Sequence, residues 1–297
     1  MTPAAQPFPL STDADGITTL TIEPNQGSMV ILGGPLIQRL EATFAALTPD
    51  TKGLLLASGS TRVFIAGADL KAIAAMSTPA LDEYLAYGQR VFAMLCAMPF
   101  PTAAAINGAA LGGGLELAMH CDALIAAAPP LKDGQPGRPY PVGLPEAGLA
   151  ICPGWGGTNL LPARMDPHAA IFATASGTPM LLPDAYAAGM FDGYSPTAEG
   201  LHAAAKTWLL AHPHAHLSRP DNAPLRWIGR NLEPVRAVLE SLLPTITSDE
   251  GHSVLKAVAA GLNAGWQTAL DVERAELNRL RNEPAGKSKI EAFLTRK

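Results

Sequence analysis

Cysteine, aromatic residues and charge are all scarce in this chain, and each scarcity closes off a class of protein. Three cysteines, Cys96, Cys121 and Cys152, stand without any C-x-x-C spacing. That excludes a disulfide framework or a cysteine zinc site and leaves buried, reduced thiols. Charged residues make up 16% and the net charge is −5. A chain so balanced lacks the basic face that nucleic acid demands, although a local basic cluster can still hold one small anion. Long apolar runs free of glycine, proline and charge are absent, so no segment reads as a membrane span. Met1 to Gly16 carries neither a cationic stretch before an apolar core nor an Arg-rich amphipathic pattern, and the expected location is cytoplasmic.

What remains is an alanine-rich globular composition, 48% hydrophobic over 297 residues, with ample length for a large core. Residues 1–14 read as a loose arm. Ile17 to Ile22 is a β-branched strand, 35–47 an amphipathic helix behind Pro35, and Gly53 to Ala57 a short apolar strand. Strand, helix and strand in that order imply parallel pairing in an α/β fold. Val63 to Ile65 then runs into the small-residue loop Ala66-Gly67-Ala68-Asp69 at a strand's carboxyl end, where open α/β folds place ligands. Thr78-Pro79 opens a helix to about Ala97.

The central stretch is 102–122. An apolar strand, Ala103 to Ile106, meets an Asn107-Gly108 turn, and Gly112-Gly113-Gly114 opens a helix carrying Glu116. Backbone N–H groups at a helix start lack intrahelical partners, and glycine lets a ligand approach them, so the place suits a developing negative charge. A carboxylate in that same first turn would repel an anion and needs a reason of its own. Ala123 to Ala128 reads as a strand and 129–141 as a proline-rich loop. A second glutamate, Glu146, then precedes a second glycine-rich turn, Gly154-Trp155-Gly156-Gly157.

Beyond residue 195 the pattern is helical, at 199–210, 222–243 and from a Thr247/Glu250 capping box to Arg281 with a bend at Gly261 or Gly265. The alternating His212, His214 and His216 could ligate a metal, but Pro213 breaks any regular element and no further ligands lie near; no metal site is expected.

Three segments in order, 64–71, 106–122 and 143–158, resemble the crotonase (enoyl-CoA hydratase/isomerase) superfamily, with the hydratase part of multifunctional fatty-acid oxidation enzymes as the nearest likeness. The resemblance implies a ββα spiral core over residues 1–195 and a helical, oligomer-forming region over 196–297. It implies an oxyanion hole from the amides of Ala68 and Gly113, Glu116 as the base on water, Glu146 as the acid toward Cα, and the Gly154 amide as an aid to orientation. It implies that no cofactor is needed: coenzyme A arrives as part of an acyl-CoA thioester, along Ala66, Ala68, Asp69, Leu70 and Lys71, with Lys297 reaching a ligand phosphate. Met76, Tyr84 and Tyr87 fall where the family lines its acyl pocket, and a homotrimer or dimer of trimers is expected. Three departures stand out: the long 129–141 loop, which could cap the pocket, bulky Trp155 beside Gly154, and the extended 196–250 region. The expected reaction is hydration of a 2-enoyl-CoA. An enoyl-CoA isomerase on the same fold and a non-catalytic acyl-CoA-binding subunit are the alternatives.

Overall fold

The computed structural model describes residues 5–135, 137–220 and 223–295. Its first half alternates between two sheets. After β1 (Leu10–Thr12), β2 (Ile17–Ile22), α1 (Gly34–Ala45) and β3 (Gly53–Ser58), the chain crosses to β4 (Val63–Ile65) and the helices α2 (Leu70–Ala75) and α3 (Thr78–Cys96). It repeats the excursion with β5 (Thr102–Ile106), β6 (Ala109–Leu111) and α4 (Gly113–Met119). A third pass uses β7 (Ala123–Ala127), β8 (Pro141–Gly143) and α5 (Gly157–Leu160). β3, β5 and β7 join a six-stranded sheet ordered β1-β2-β3-β5-β7 and then β10 (Gly193–Ser195). β4, β6 and β8 join a smaller sheet ordered β4-β6-β8, edged by β9 (Met180–Leu181). This is the expected ββα spiral.

Every pairing from β2 to β10 in the large sheet is parallel, and β4, β6 and β8 are parallel as well. The runs Leu54 to Ala57 and Ala103 to Ile106 are therefore buried throughout, because both faces of the sheet are covered. One face meets α8 (Leu201–Ala211), whose Leu201, Ala205 and Leu209 pack on Leu55, Ala103 and Ile125. The other face belongs to a single core that runs from Phe8 to Ile290, so residues on both sides of position 195 share it.

Several elements depart from the expectations. The arm is ordered from Phe8 onward: Phe8 is buried, its N–H donates to Thr43 Oγ1 at 2.8 Å, and β1 pairs antiparallel with β2. Residues 1–4 lie outside the described residues. Ser77, one residue before Thr78, caps α3, its Oγ accepting from Ala80 N. In the second half, α6 (Pro167–Ser176) and α7 (Leu182–Ala187) precede β10. After α8, helix resumes only at α9 (Leu232–Leu242), behind a 3-10 turn at Ile228–Arg230. The next helix, α10 (Asp249–Ala264), is capped by Ser248 rather than Thr247 and stops at Gly265, whose φ of +87° breaks it. Then come α11 (Trp266–Asn282) and α12 (Pro284–Thr295).

The proline-rich loop is tied down by Tyr140, whose hydroxyl donates to Ile106 O and Ala127 O at 3.1 and 2.7 Å. The buried side chain of Arg219 fastens the 212–220 segment to Asp122, just before β7, and to the carbonyls of Cys96, Met98 and Phe100 between the end of α3 and β5. His212 stacks on Trp208 with ring centroids 4.3 Å apart, and no three metal-ligating side chains converge among the described residues.

Candidate active site

The parallel strands β4, β6 and β8 end side by side, and their carboxyl ends deliver the chemistry. Ala66 to Ala68 follows β4, Gly112 and Gly113 follow β6, and Glu146 follows β8. All of them line one cavity of about 350 Å³, together with Glu116, Gly154 and Trp155. The remaining walls are apolar, including Leu70, Ile73, Leu85, Ile151, Leu277 and Phe293. Met76, Tyr84 and Tyr87 do not line it. Tyr84 instead donates to Leu32 O and rests edge-on against Trp155, and Tyr87 donates to Glu41. Nor do the described residues of the 129–141 loop line it.

Two residues that line this space, Ala68 and Gly113, keep backbone amides with no acceptor among the described residues. Leu32 bonds the carbonyl of Gly67 and the N–H of Asp69, which leaves the N–H of Ala68 on the opposite edge of that extended segment. Gly113 is the first residue of α4, so its N–H has no carbonyl one turn earlier to meet. Gly112 takes φ +51°, and a Cβ there would lie 2.4 Å from Glu146 Oε1, so only glycine fits between the strand end and the carboxyl. The other expected ligand contacts divide. Asp69 spends its carboxylate capping α2 at Ala72 N, 3.0 Å away, and the Ala66 amide is bonded to Val30 O. Lys71 is exposed on α2, and Lys297 and Arg296 lie outside the described residues.

The carboxyl groups are buried and differently held. Glu116 Oε1 accepts from the amides of Trp155 and Gly157, each at 2.8 Å, while Oε2 takes no hydrogen bond from the described residues. Glu146 is half-buried, with its Oε2 shut off from solvent and unpartnered. A third carboxyl, Glu273 on α11, enters from the far side of the second glycine turn. It accepts from Gly156 N at 2.6 Å and from Thr158 N at 2.9 Å, and also from the Thr158 hydroxyl. Burial raises all three above the usual carboxylate range, Glu146 to about 8 and Glu273 to about 7. In Glu116 the charges of Glu273 and Glu146 add to burial, and the two amides pull the other way. Close carboxyls that cannot all ionise share protons near neutral pH.

Glu273 was not among the residues singled out from the sequence, yet it carried a signal. It sits on the apolar stripe Trp266, Leu270, Leu277 and Leu280, where a carboxylate must find buried donors. Trp155 seals the same region. Its Nε1 donates to Leu85 O at 3.1 Å, and its ring lies against Gly113, where a Cβ would come within 2.3 Å.

Residues 32–218, well over half of the chain, match the family model described as enoyl-CoA hydratase/isomerase. The chain belongs to that family. Among solved structures it is similar to a carnitinyl-CoA dehydratase from Mycobacterium thermoresistibile (TM-score 0.70, 19% identity, covering 96% of this chain and 89% of that one). It is also similar to an enoyl-CoA hydratase from Mycobacterium avium subsp. paratuberculosis K-10 (TM-score 0.62, 21% identity, 95% and 97% covered) and to one from Bacillus anthracis (TM-score 0.57, 23% identity, 96% and 95% covered). At such identities the likeness speaks to the fold.

Proposed function

We propose that the protein hydrates 2-enoyl-CoA thioesters to 3-hydroxyacyl-CoA. The observation that carries this reading is the convergence of Glu116, Glu146, Ala68 and Gly113 on one apolar cavity. The thioester carbonyl oxygen would sit between the amides of Ala68 and Gly113. Glu116, oriented through Oε1, takes a proton from water with Oε2 as that water adds to Cβ. The electron pair of the double bond moves toward the thioester oxygen, where the two amides stabilise it. Protonated Glu146 then delivers its proton to Cα, and the net change is addition of one water across the double bond. Burial that holds Glu146 protonated near neutral pH suits it as the acid. Gly154, on the same wall, completes the surroundings of the water.

The apolar lining favours an uncharged acyl group. Coenzyme A enters as part of the substrate, with Ala66 to Leu70 beside the thioester and Lys71 toward the nucleotide. No further cofactor enters this scheme. We assign the protein to the cytoplasm as a homotrimer or dimer of trimers, with residues 196–297 supplying subunit contacts. No helix among the described residues is long and apolar enough to cross a membrane.

The test is loss of the enoyl absorbance of crotonyl-CoA with wild type, E116Q and E146Q. A hydratase loses about 10³-fold or more of its kcat with either substitution. Loss from only one substitution, with double-bond migration in a 3-enoyl-CoA, would indicate an isomerase. Full retention in both would indicate a binding subunit.

A further inference from the structure

Four consecutive amides, those of Trp155, Gly156, Gly157 and Thr158, alternate between two carboxylates. The first and third go to Glu116 and the second and fourth to Glu273. The backbone can serve both sides because Gly156 takes φ +100° and lies against Trp266, where a Cβ would be 2.4 Å from the ring. The conformation that aims two N–H groups at Glu116 is thus the same one that aims two at Glu273. Neither set of bonds can shift without the other.

From this arrangement we infer that Glu273 is a positioning residue for the reaction: it clamps the 155–158 turn so that Glu116 is held by one oxygen and presents the other to the water. The inference rests on the hydratase reading of Glu116. Helix α11 holds Glu273 rigidly, since it is fixed at Trp266 and Leu277 in the core and by Gln89, whose Nε2 donates to Leu270 O and Gly154 O. The clamp therefore ties the C-terminal helices to the chemistry, and α11 does more than pack.

Glu273 also acts through its charge. The titratable groups around it are Glu116 on α4, Glu146 after β8, and Cys152, whose thiol donates to the Glu273 carbonyl. Farther along α11, Glu276 is neutralised by Lys256 of α10 and by Arg279, and Arg274 pairs with Asp82 of α3 and Asp271. His120, at the end of α4 and edge-on to Trp266, is kept neutral by burial. No cation in this set faces the Glu273 carboxylate, so replacing it with a neutral amide removes an uncompensated negative charge. Glu116 and Glu146 would then lose their protons at lower pH.

The experiment is the pH dependence of kcat and KM for crotonyl-CoA with wild type, E116Q and E273Q, with the folded fraction of each read by near-UV circular dichroism. A glutamine offers one acceptor where three donors converge. Folded E273Q is expected to lose about 30- to 100-fold in kcat with KM changed less than about threefold, as a slight misplacement of the base does. The alkaline limb of its profile is expected at lower pH. A purely structural role would lower activity only in proportion to the folded fraction and leave the limb in place, which would overturn the inference. Should E273Q not fold, T158V decides: it keeps the carboxylate but removes the hydroxyl donor. Its expected loss is about 3- to 10-fold in kcat with the limb displaced in the same direction, and wild-type kinetics would overturn the inference. Wild-type activity in E116Q would overturn the hydratase reading beneath it. Loss in E116Q with none in folded E273Q would overturn only the role given to Glu273.

Discussion

The two glycine-rich turns use the same vocabulary in opposite ways. At 112–114 the turn opens α4 with its first amide unspent, and Gly113 lines the cavity. At 154–157 the turn opens α5, but the amides of residues 155–158 are already taken up by Glu116 and Glu273. The first turn leaves a donor free, and the second spends its donors on the protein's own carboxylates. A glycine-rich helix start is therefore not by itself an anion site; the acceptors nearby decide what it serves.

Substitutions should separate the two turns. Gly113→Ala should act first on the reaction. A methyl against Trp155 displaces the amide and lowers kcat by about 10²-fold, read with crotonyl-CoA, a loss of the size expected for one oxyanion donor. Gly156→Ala should act first on stability, because it strains a φ of +100° and overlaps Trp266. A loss of about 2–4 kcal/mol in urea unfolding is expected. If Gly156→Ala cost little stability while Gly113→Ala unfolded the chain, the contrast would be reversed.

A smaller effect is expected at the residue between them. Trp155→Phe removes the hydrogen bond to Leu85 O and part of the ring, costing about 1–3 kcal/mol in the same unfolding assay. Its kcat should fall less than that of Gly113→Ala, since the Trp155 amide on Glu116 survives.

The smallest effect is on stability against pH, and its sign follows from the buried acids. Glu146 and Glu273 have folded values of about 8 and 7, above their ordinary value of 4.5. Their contribution is present below pH 4.5 and is lost as pH rises through 7 to 8. His120 works oppositely: burial lowers it to about 4, so its contribution is present above 6.5 and is lost as pH falls. Between pH 6.5 and 8 the glutamates alone among these three still titrate. The melting temperature should fall across that window, and the fall should be shallower in E273Q.

Much of this was legible in the sequence, for reasons that also mark where reading stops. Short apolar strands ending in small residues announced β3, β4, β5 and the places where their loops open. Glu116 and Glu146 stood out because each sits next to a glycine turn whose chemistry is local. Glu273 did not, because its donors lie more than a hundred residues earlier and only its place on an apolar stripe hinted at them. The family resemblance put Tyr84 at the acyl pocket, but it serves Leu32 and Trp155 rather than the cavity. The strand β6 was hidden by its length of three residues, and the order of residues 8–12 depends on a partner strand and on Thr43. Capping residues shifted by one at Ser77 and Ser248, where a neighbouring threonine offered the same hydroxyl.

The division of labour between the two cavity glutamates can be measured without hydration, by following exchange of the Cα protons of butyryl-CoA in D2O by NMR. The account predicts that exchange persists in E116Q, whose intact Glu146 still reaches Cα, and disappears in E146Q. Exchange abolished in E116Q but retained in E146Q would contradict it.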